Sequence, residues 1–352
     1  MGDYYFSIVQ AGNATGILPT VKKCFMIAAQ NVKNIIAVVG DDNEKKAQLM
    51  NKFNQTLSFA ESVQKKILSD PVKYDIQKKY LSQFSEQEQS IIKAASIIRD
   101  INFDLWSPAA GVTNIYSQTQ YVDPNGLLPL SLKQMQKLKY WYRAIDILDK
   151  QHFKNGVPIV AEQITGYEIK QQSVGDCSVL CSLAVTAHHE FKHHHKIRLI
   201  SGNIYPQDQY QNPIYNPEGK YIVKLYLNGS WRGVEVDDYL PVNEWGQLIC
   251  AYSNKSKLWV SLIEKAYLKA HGGYDFDGSN SSRDLFVLTG WLPEIIKLKE
   301  YDREKLWARI SNGYKNRDCL ITCGTGPIED EDKVGLVSGH AYAILEIMEY
   351  DG

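Results

Sequence analysis

The stretch Gln171-Gln172-Ser173-Val174-Gly175-Asp176-Cys177 places a cysteine just after a Gly-Asp turn, in front of an apolar-periodic run through Leu183, Ala184 and Ala187. A thiol in the first turn of a helix feels the positive end of the helix dipole, which favours thiolate and so makes the sulfur nucleophilic. Asp176 is placed to cap that helix. Gln171, six residues upstream of Cys177, is placed to bring its amide beside the Cys177 backbone N–H, where the two donors would hold an oxyanion. A thiolate of this kind needs a partner that takes its proton and later returns one to the leaving group. His340 is the best candidate: it opens a strand-patterned segment after Gly339, 163 residues downstream (340 − 177). Together the three residues would perform acyl transfer through a covalent acyl-enzyme.

Other reactive side chains invite plainer readings. Cys181, one turn beyond Cys177, reads as a core thiol. Cys319 and Cys323 repeat the spacing of four, but on a strand and loop their side chains need not converge on a metal. Five of the eight histidines fall in HHEFKHHH, at 188, 189, 193, 194 and 195. His189 and His193 would share a helical face suited to a transition metal, against the blander reading of a solvated helix end. The acidic runs at 329–333 and 272–280 are either oxygen ligands or solvated loops.

The elements that must position these residues can be read from periodicity. Apolar residues at 21, 24, 25, 28, 32, 35, 36 and 39, ending at Gly40, form one helical stripe, and Ala47 to Ile67 forms a second. Residues 1–70 are therefore expected to be a small helical unit. Capping-box pairs Ser85/Glu88 and Ser131/Gln134 predict helices over SEQEQSIIKAASII and SLKQMQKLKYWYRAIDIL, with an irregular tether over 107–130 between them. From Tyr167 the pattern becomes mixed. YIVKLYLNGSWRGVEV alternates about Asn228-Gly229 as a hairpin, KLWVSLIEKAYLKAHGG reads as a helix and GHAYAILEI as a strand.

Composition excludes several function classes. The 352 residues are 44% hydrophobic and 22% charged with a formal net charge of −1, so no global field recruits nucleic acid or an anionic membrane. No segment reaches transmembrane length and no secretion signal opens the chain. Six thinly spread cysteines predict free thiols and a cytoplasmic protein.

The motifs point to one family. QQSVGDCSVLCSLA resembles the Gln-x-x-x-Gly-Asp-Cys segment of calpains, EVDDYLPV their Val-Asp-Asp-x-Leu-Pro hairpin, and LWVSLIEKAYLKAHGGYDF their Leu-Glu-Lys-Ala-Tyr helix. LTGW and GHAY follow in order. The Cys-to-His separation is also broadly similar to that of papain-like enzymes. Ser178 after the cysteine, with IYNPEGKYIVKLYLNG, GGYDFDGSNS and LTGWLPE, resembles the PalB-like branch. The resemblance implies an α+β fold with a papain-like protease core. It makes Cys177 the nucleophile, His340 the general base and acid and Gln171 the oxyanion donor, with protein or peptide as substrate. It implies a helical, MIT-like domain at 1–70 that binds ESCRT-III tails, with endosome association, and a helical linker at 71–150. Protease subdomain 1 is then expected at 151–290 and the start of subdomain 2 at 291–352. Calpains complete their triad with an Asn some two dozen residues past the His. The tail AYAILEIMEYDG has none, so subdomain 2 is expected to be C-terminally incomplete here and the activity of this chain is left open. Conventional calpains bind Ca2+ in core loops, which keeps the ligand reading of 272–280 and 329–333 open; no other cofactor is implied. The alternative function is a catalytically silent adaptor that binds through its N-terminal helices.

Overall fold

A computed structural model of the chain describes residues 84–106, 120–193, 198–208 and 210–349, with the isolated positions 44, 47, 48, 50, 51, 54 and 58, all helical. The expected helical, MIT-like domain at 1–70 otherwise lies outside the described residues. Two compact units divide the chain, residues 1–94 with 107–115, and residues 95–106 with 116–352. In the first, the capping box predicted at Ser85 is formed. The Ser85 backbone N–H donates to Glu88 Oε2 at 2.7 Å and the Glu88 N–H to Ser85 Oγ at 3.3 Å, starting α1 (Glu86–Ser96).

The second unit is α+β. Its short strands are β1 (Ile97–Ile98), β2 (Ile101–Asn102), β3 (Leu138–Arg143), β4 (Ile169–Lys170), β5 (Ile204–Tyr205), β6 (Lys220–Leu227), β7 (Ser230–Asp237), β8 (Tyr239–Asn243), β9 (Tyr252–Ser253), β10 (Thr322–Gly324) and β11 (Ala341–Ala343). Its helices are α2 (Leu132–Lys137), α3 (Ala144–Ile147), α4 (Cys177–Lys192), α5 (Trp259–His271), α6 (Ser281–Thr289), α7 (Arg303–Asn316) and α8 (Glu331–Val334). All described pairings are antiparallel: β1 with β2, β3 with β8, β4 with β9, β10 with β11, and a three-stranded sheet ordered β5-β6-β7. The β6–β7 hairpin turns at Asn228 (φ 47°) and Gly229 (φ 76°), the two left-handed residues a tight turn of this hand requires.

One expected helix is broken. SLKQMQKLKYWYRAIDIL caps as predicted, with Ser131 N–H donating to Gln134 Oε1 at 2.9 Å, but α2 ends at Lys137 and the next six residues form β3. The run Leu-Lys-Tyr-Trp-Tyr-Arg suits a pleated surface. Trp141 turns toward the core while Tyr140 and Tyr142 face solvent, and pairing with β8 settles the choice. Gln134 also works outside its own helix, since its Nε2 donates to the carbonyls of Ser173 and Tyr274, each at 3.0 Å. That clamps the loop leading to Cys177.

The core is organised by α5, whose residues Trp259 to Ala270 are all buried. A helix buried on every face carries its apolar residues well, but Glu264, Lys265 and Lys269 must then find partners inside. Lys265 pairs with Asp237 and donates to the Tyr239 carbonyl at 2.6 Å. Lys269 pairs with Asp123 at 2.5 Å and donates to the Glu235 carbonyl at 2.7 Å. Arg143 grips Asp238 with two hydrogen bonds of 2.5 and 2.9 Å. The adjacent acids of the Val-Asp-Asp motif thus hold two different elements: Asp237 fixes α5 and Asp238 fixes the end of β3.

Lys265→Met strands the Asp237 carboxylate, which is 1% exposed. It should cost about 3–5 kcal/mol in urea unfolding, with most of the loss recovered in Lys265→Met/Asp237→Asn. Gln134→Leu takes the shared donor from the Ser173 and Tyr274 carbonyls, and the same measurement should show a loss of about 1–3 kcal/mol.

Candidate active site

Cys177 is the first residue of α4, so its backbone N–H has no acceptor within the helix and points out of its N-terminus. Just before it, the chain at Gly175 passes closely under a neighbouring loop. A Cβ at Gly175 would stand 3.0 Å from the Phe276 carbonyl oxygen. The preceding loop is held by Gln134 from α2 and by the Ser173 N–H, which donates to the Ile249 carbonyl at 3.0 Å. Cys177 is half-buried and forms no disulfide; Cys181, Cys250, Cys319 and Cys323 are free thiols as well, Cys250 buried and Cys323 exposed.

His340 directly precedes β11. The backbone reaches it through Gly339 at φ 61°, the left-handed conformation for which glycine is suited. Thr325 pins it from both sides: the His340 N–H donates to Thr325 Oγ1 at 3.0 Å, and the Thr325 N–H donates to the His340 carbonyl at 3.0 Å. The imidazole stands edge-on to the Tyr342 ring with centroids 5.1 Å apart. Helix α4 and strand β11 meet where the Cys181 thiol donates to the Ala341 carbonyl at 3.0 Å. The residue one turn after Cys177 therefore touches the residue after His340. Burial pushes the Cys181 thiol up to about 12, with the neighbouring Cys177 adding to the effect. That suits the role of an inert packing thiol.

Gln171 lies beside the thiol loop, but its amide is engaged. Nε2 donates to the Val174 carbonyl at 2.9 Å and to Asp176 Oδ1 at 3.4 Å. To serve an oxyanion the amide must exchange one of these bonds for the substrate, a tightening common between free and occupied sites.

Two expectations are corrected. Asp176 is the N-cap residue of α4 but makes no side-chain cap bond. Its fully buried carboxyl turns instead toward Gln171 and Glu264. The histidine-rich end of α4 is also not a simple solvated helix end. His188 and His189 are buried, packed edge-on to Tyr167 and Trp291 respectively. Burial pushes both below the usual histidine range. His189 and His193 do share a face, with ring centroids 4.2 Å apart; His194 and His195 lie outside the described residues.

The acidic run at 329–333 is used by the protein itself. Asp330 caps α8 by accepting from the Lys333 N–H at 3.2 Å, and Glu331 accepts from the Ser338 N–H at 2.7 Å. Among the described residues no three His, Cys, Asp or Glu side chains converge as a metal site. Sequence reasoning missed Thr325, Gln134 as a loop clamp, and Glu264. Gln134 carried a local signal in its capping box and Glu264 lay within a quoted helix motif, but neither pointed to its contact near the thiol.

A family model described as calpain family cysteine protease matches residues 122–352. Human calpain-7 is 45% identical over 239 residues, 66% of this chain and 28% of the human protein. The calpain-like protease PalB/RIM13 of Aspergillus oryzae is 34% identical over 279 residues, 76% of this chain and 32% of that protein. Its counterpart in Cryptococcus neoformans is 28% identical over 349 residues, 94% of this chain and 40% of that protein. The chain thus spans between 28% and 40% of the length of these relatives. Because the match runs unbroken from upstream of the helix that Cys177 opens to beyond the strand that His340 opens, the chain belongs to the calpain family of cysteine proteases.

Proposed function

We propose that this chain carries the thiol site of a cysteine endopeptidase, with Cys177 as nucleophile, His340 as general base and acid, and Gln171 as oxyanion donor. The observation that carries the reading is the placement of Cys177 at the N-terminus of buried α4, with the strand after His340 packed on the same helix one turn later. The family match and the relatives named as proteases support the same class of chemistry.

In this reading the His340 imidazole takes the Cys177 proton and the sulfur attacks a peptide carbonyl carbon. The carbonyl oxygen becomes an oxyanion held by the Cys177 N–H and the Gln171 amide. Collapse breaks the C–N bond, with the imidazolium giving its proton to the departing amine. Water, deprotonated by His340, then cleaves the thioester, releases the acid and returns the thiol. Substrates are proteins or peptides cut at limited sites.

The link to ESCRT-III tails is a further part of the proposal. Its support is the helical patterning of residues 21–67 together with the PalB-like relatives, one of which aligns over 94% of the chain. Capture of ESCRT-III tail peptides by the full chain, lost on deletion of 1–75, is the expected result. Equal capture by both forms would remove this part of the reading.

For the chemistry, an epoxide warhead that traps papain-like thiolates should label the full chain at Cys177, and Cys177→Ala should abolish labelling. His340→Ala should slow labelling and peptide hydrolysis by about 10²–10⁴-fold. Gln171→Ala should lower kcat by about 10²–10³-fold with little change in labelling by a neutral alkylating agent, because an oxyanion donor acts on the tetrahedral intermediate. Cys177 that stays unlabelled while the surface thiol Cys323 reacts would sink the assignment.

A further inference from the structure

Behind Cys177 two acids meet inside the protein. Asp176 and Glu264 are both fully buried, and their carboxyls hydrogen-bond to each other. Two ionised carboxylates do not share such a place, so the pair retains a proton. Both Glu264 oxygens lie near a single donor, the Ala251 N–H, at 2.9 and 3.0 Å. Asp176 Oδ1 accepts from Gln171, while its Oδ2 receives nothing from an amide, hydroxyl or cation among the described residues. A carboxylate cannot donate, so the hydrogen between the two acids sits on one of them, and Glu264 is the better holder because it lies deeper, on the wholly buried α5. The connected path runs from Ala251 through Glu264 and Asp176 to Gln171.

We propose that Asp176 and Glu264 form a positioning pair for the thiol site: the proton held by Glu264 fixes the Asp176 carboxyl as the anchor for the Gln171 amide, and limits the negative charge placed beside Cys177. The inference rests on Cys177 being the nucleophile. Neither acid touches substrate; both act through Gln171 and through the field at the sulfur.

Burial pushes Asp176 up to about 7, with the bond from Glu264 pulling the other way. Burial also pushes Glu264 well above the ordinary carboxylate range, with the neighbouring Asp176 adding to the effect. Below about pH 7 the pair is neutral and thiolate formation is unopposed. Above it Asp176 becomes an anion on the residue before the thiol while Glu264 keeps its proton, and thiolate formation meets like-charge repulsion. The other titratable groups facing the pair are Cys181 on α4, Asp284 on α6, and Cys250 and Tyr274 near Glu264. Burial holds Cys181, Cys250 and Tyr274 in their neutral forms across this range.

The test is alkylation of Cys177 by iodoacetamide, a neutral electrophile, on the full chain, read by peptide mass spectrometry from about pH 5.5 to about pH 9. The wild-type rate should bend below a single-thiol titration curve near pH 7. Asp176→Asn should follow the single-thiol curve and react about three- to tenfold faster at about pH 8. Glu264→Gln, whose amide can donate to Asp176 in place of the acid proton, should keep the bend. Glu264→Leu, which removes that donor, should move it to higher pH. Superimposable profiles for wild type and Asp176→Asn overturn the proposal, as does a bend that Glu264→Leu leaves in place. Labelling that survives Cys177→Ala overturns the nucleophile assignment instead. If Asp176→Asn does not fold, infrared absorption of the wild type decides: a buried carboxylic-acid band persisting at about pH 7.5 supports the pair, and complete ionisation by then overturns it.

Discussion

The interaction on which the rest depends is the burial of α5 with its charges satisfied. A lysine ammonium inside a protein is tolerated only where it meets an anion and carbonyls in good geometry. Lys265 meets Asp237 and the Tyr239 carbonyl, and Lys269 meets Asp123 and the Glu235 carbonyl. These bonds fix the β6–β7 hairpin, the start of β8 and the segment before α2 against one rigid rod. Glu264, the residue before Lys265, points another way around the same helix and reaches Asp176 behind the thiol. One buried helix is therefore the common reference for the hairpin and for the loop that presents Cys177. Placement of the nucleophile inherits the rigidity of the ion pairs without touching them.

Much of this is legible in the sequence wherever the determinant is local. The Gly-Asp-Cys turn and the apolar run after it locate α4, and Asn228-Gly229 locates the hairpin to the residue. Gly339 marks the turn before His340 because only a few residue types accept a positive φ. What stays hidden is what depends on partners distant in the chain. The helix expected over SLKQMQKLKYWYRAIDIL has the right cap and enough apolar residues, yet β8 captures its second half, and no feature within that segment announces a partner strand at 239–243. Asp176 reads as an ordinary cap because the competing acid lies 88 residues away (264 − 176). The histidines of α4 read as solvated because Tyr167 and Trp291, which cover them, flank the helix from both directions in sequence.

The family motifs take on physical content in the same way. Val-Asp-Asp and Ile-Glu-Lys-Ala-Tyr, at 236–238 and 263–267, supply no group that touches the substrate in the proposed chemistry, yet they are as distinctive as the cysteine segment. Asp237 pairs with Lys265 and Asp238 with Arg143, Glu264 reaches Asp176, and Tyr267 donates to Asp284 at 2.6 Å. Each polar residue of these motifs is one end of a buried polar contact, and its loss would leave the other end unsatisfied. Motifs of this kind identify a fold reliably because both ends of a contact must be present together.

The two proposed chemical partners stand on supports of unequal strength. Cys177 opens a sixteen-residue helix that is buried along most of its length and braced by α6 and by the loop clamps of Gln134 and Glu264. His340 precedes a three-residue strand whose side chains are only partly buried, in a two-stranded sheet pinned by Thr325. The hydrogen bond that ties this strand to α4 is a thiol donor on a carbonyl, weak beside the charged contacts around α5. Distorting the cysteine side would disturb the core, whereas the histidine side is held from half-exposed positions, with Glu346 beyond β11 pairing to Lys192 at 3.1 Å and the Leu345 carbonyl accepting from Tyr314 at 3.1 Å. In this arrangement the core fixes the thiol, and contacts nearer the surface fix the segment that carries the imidazole.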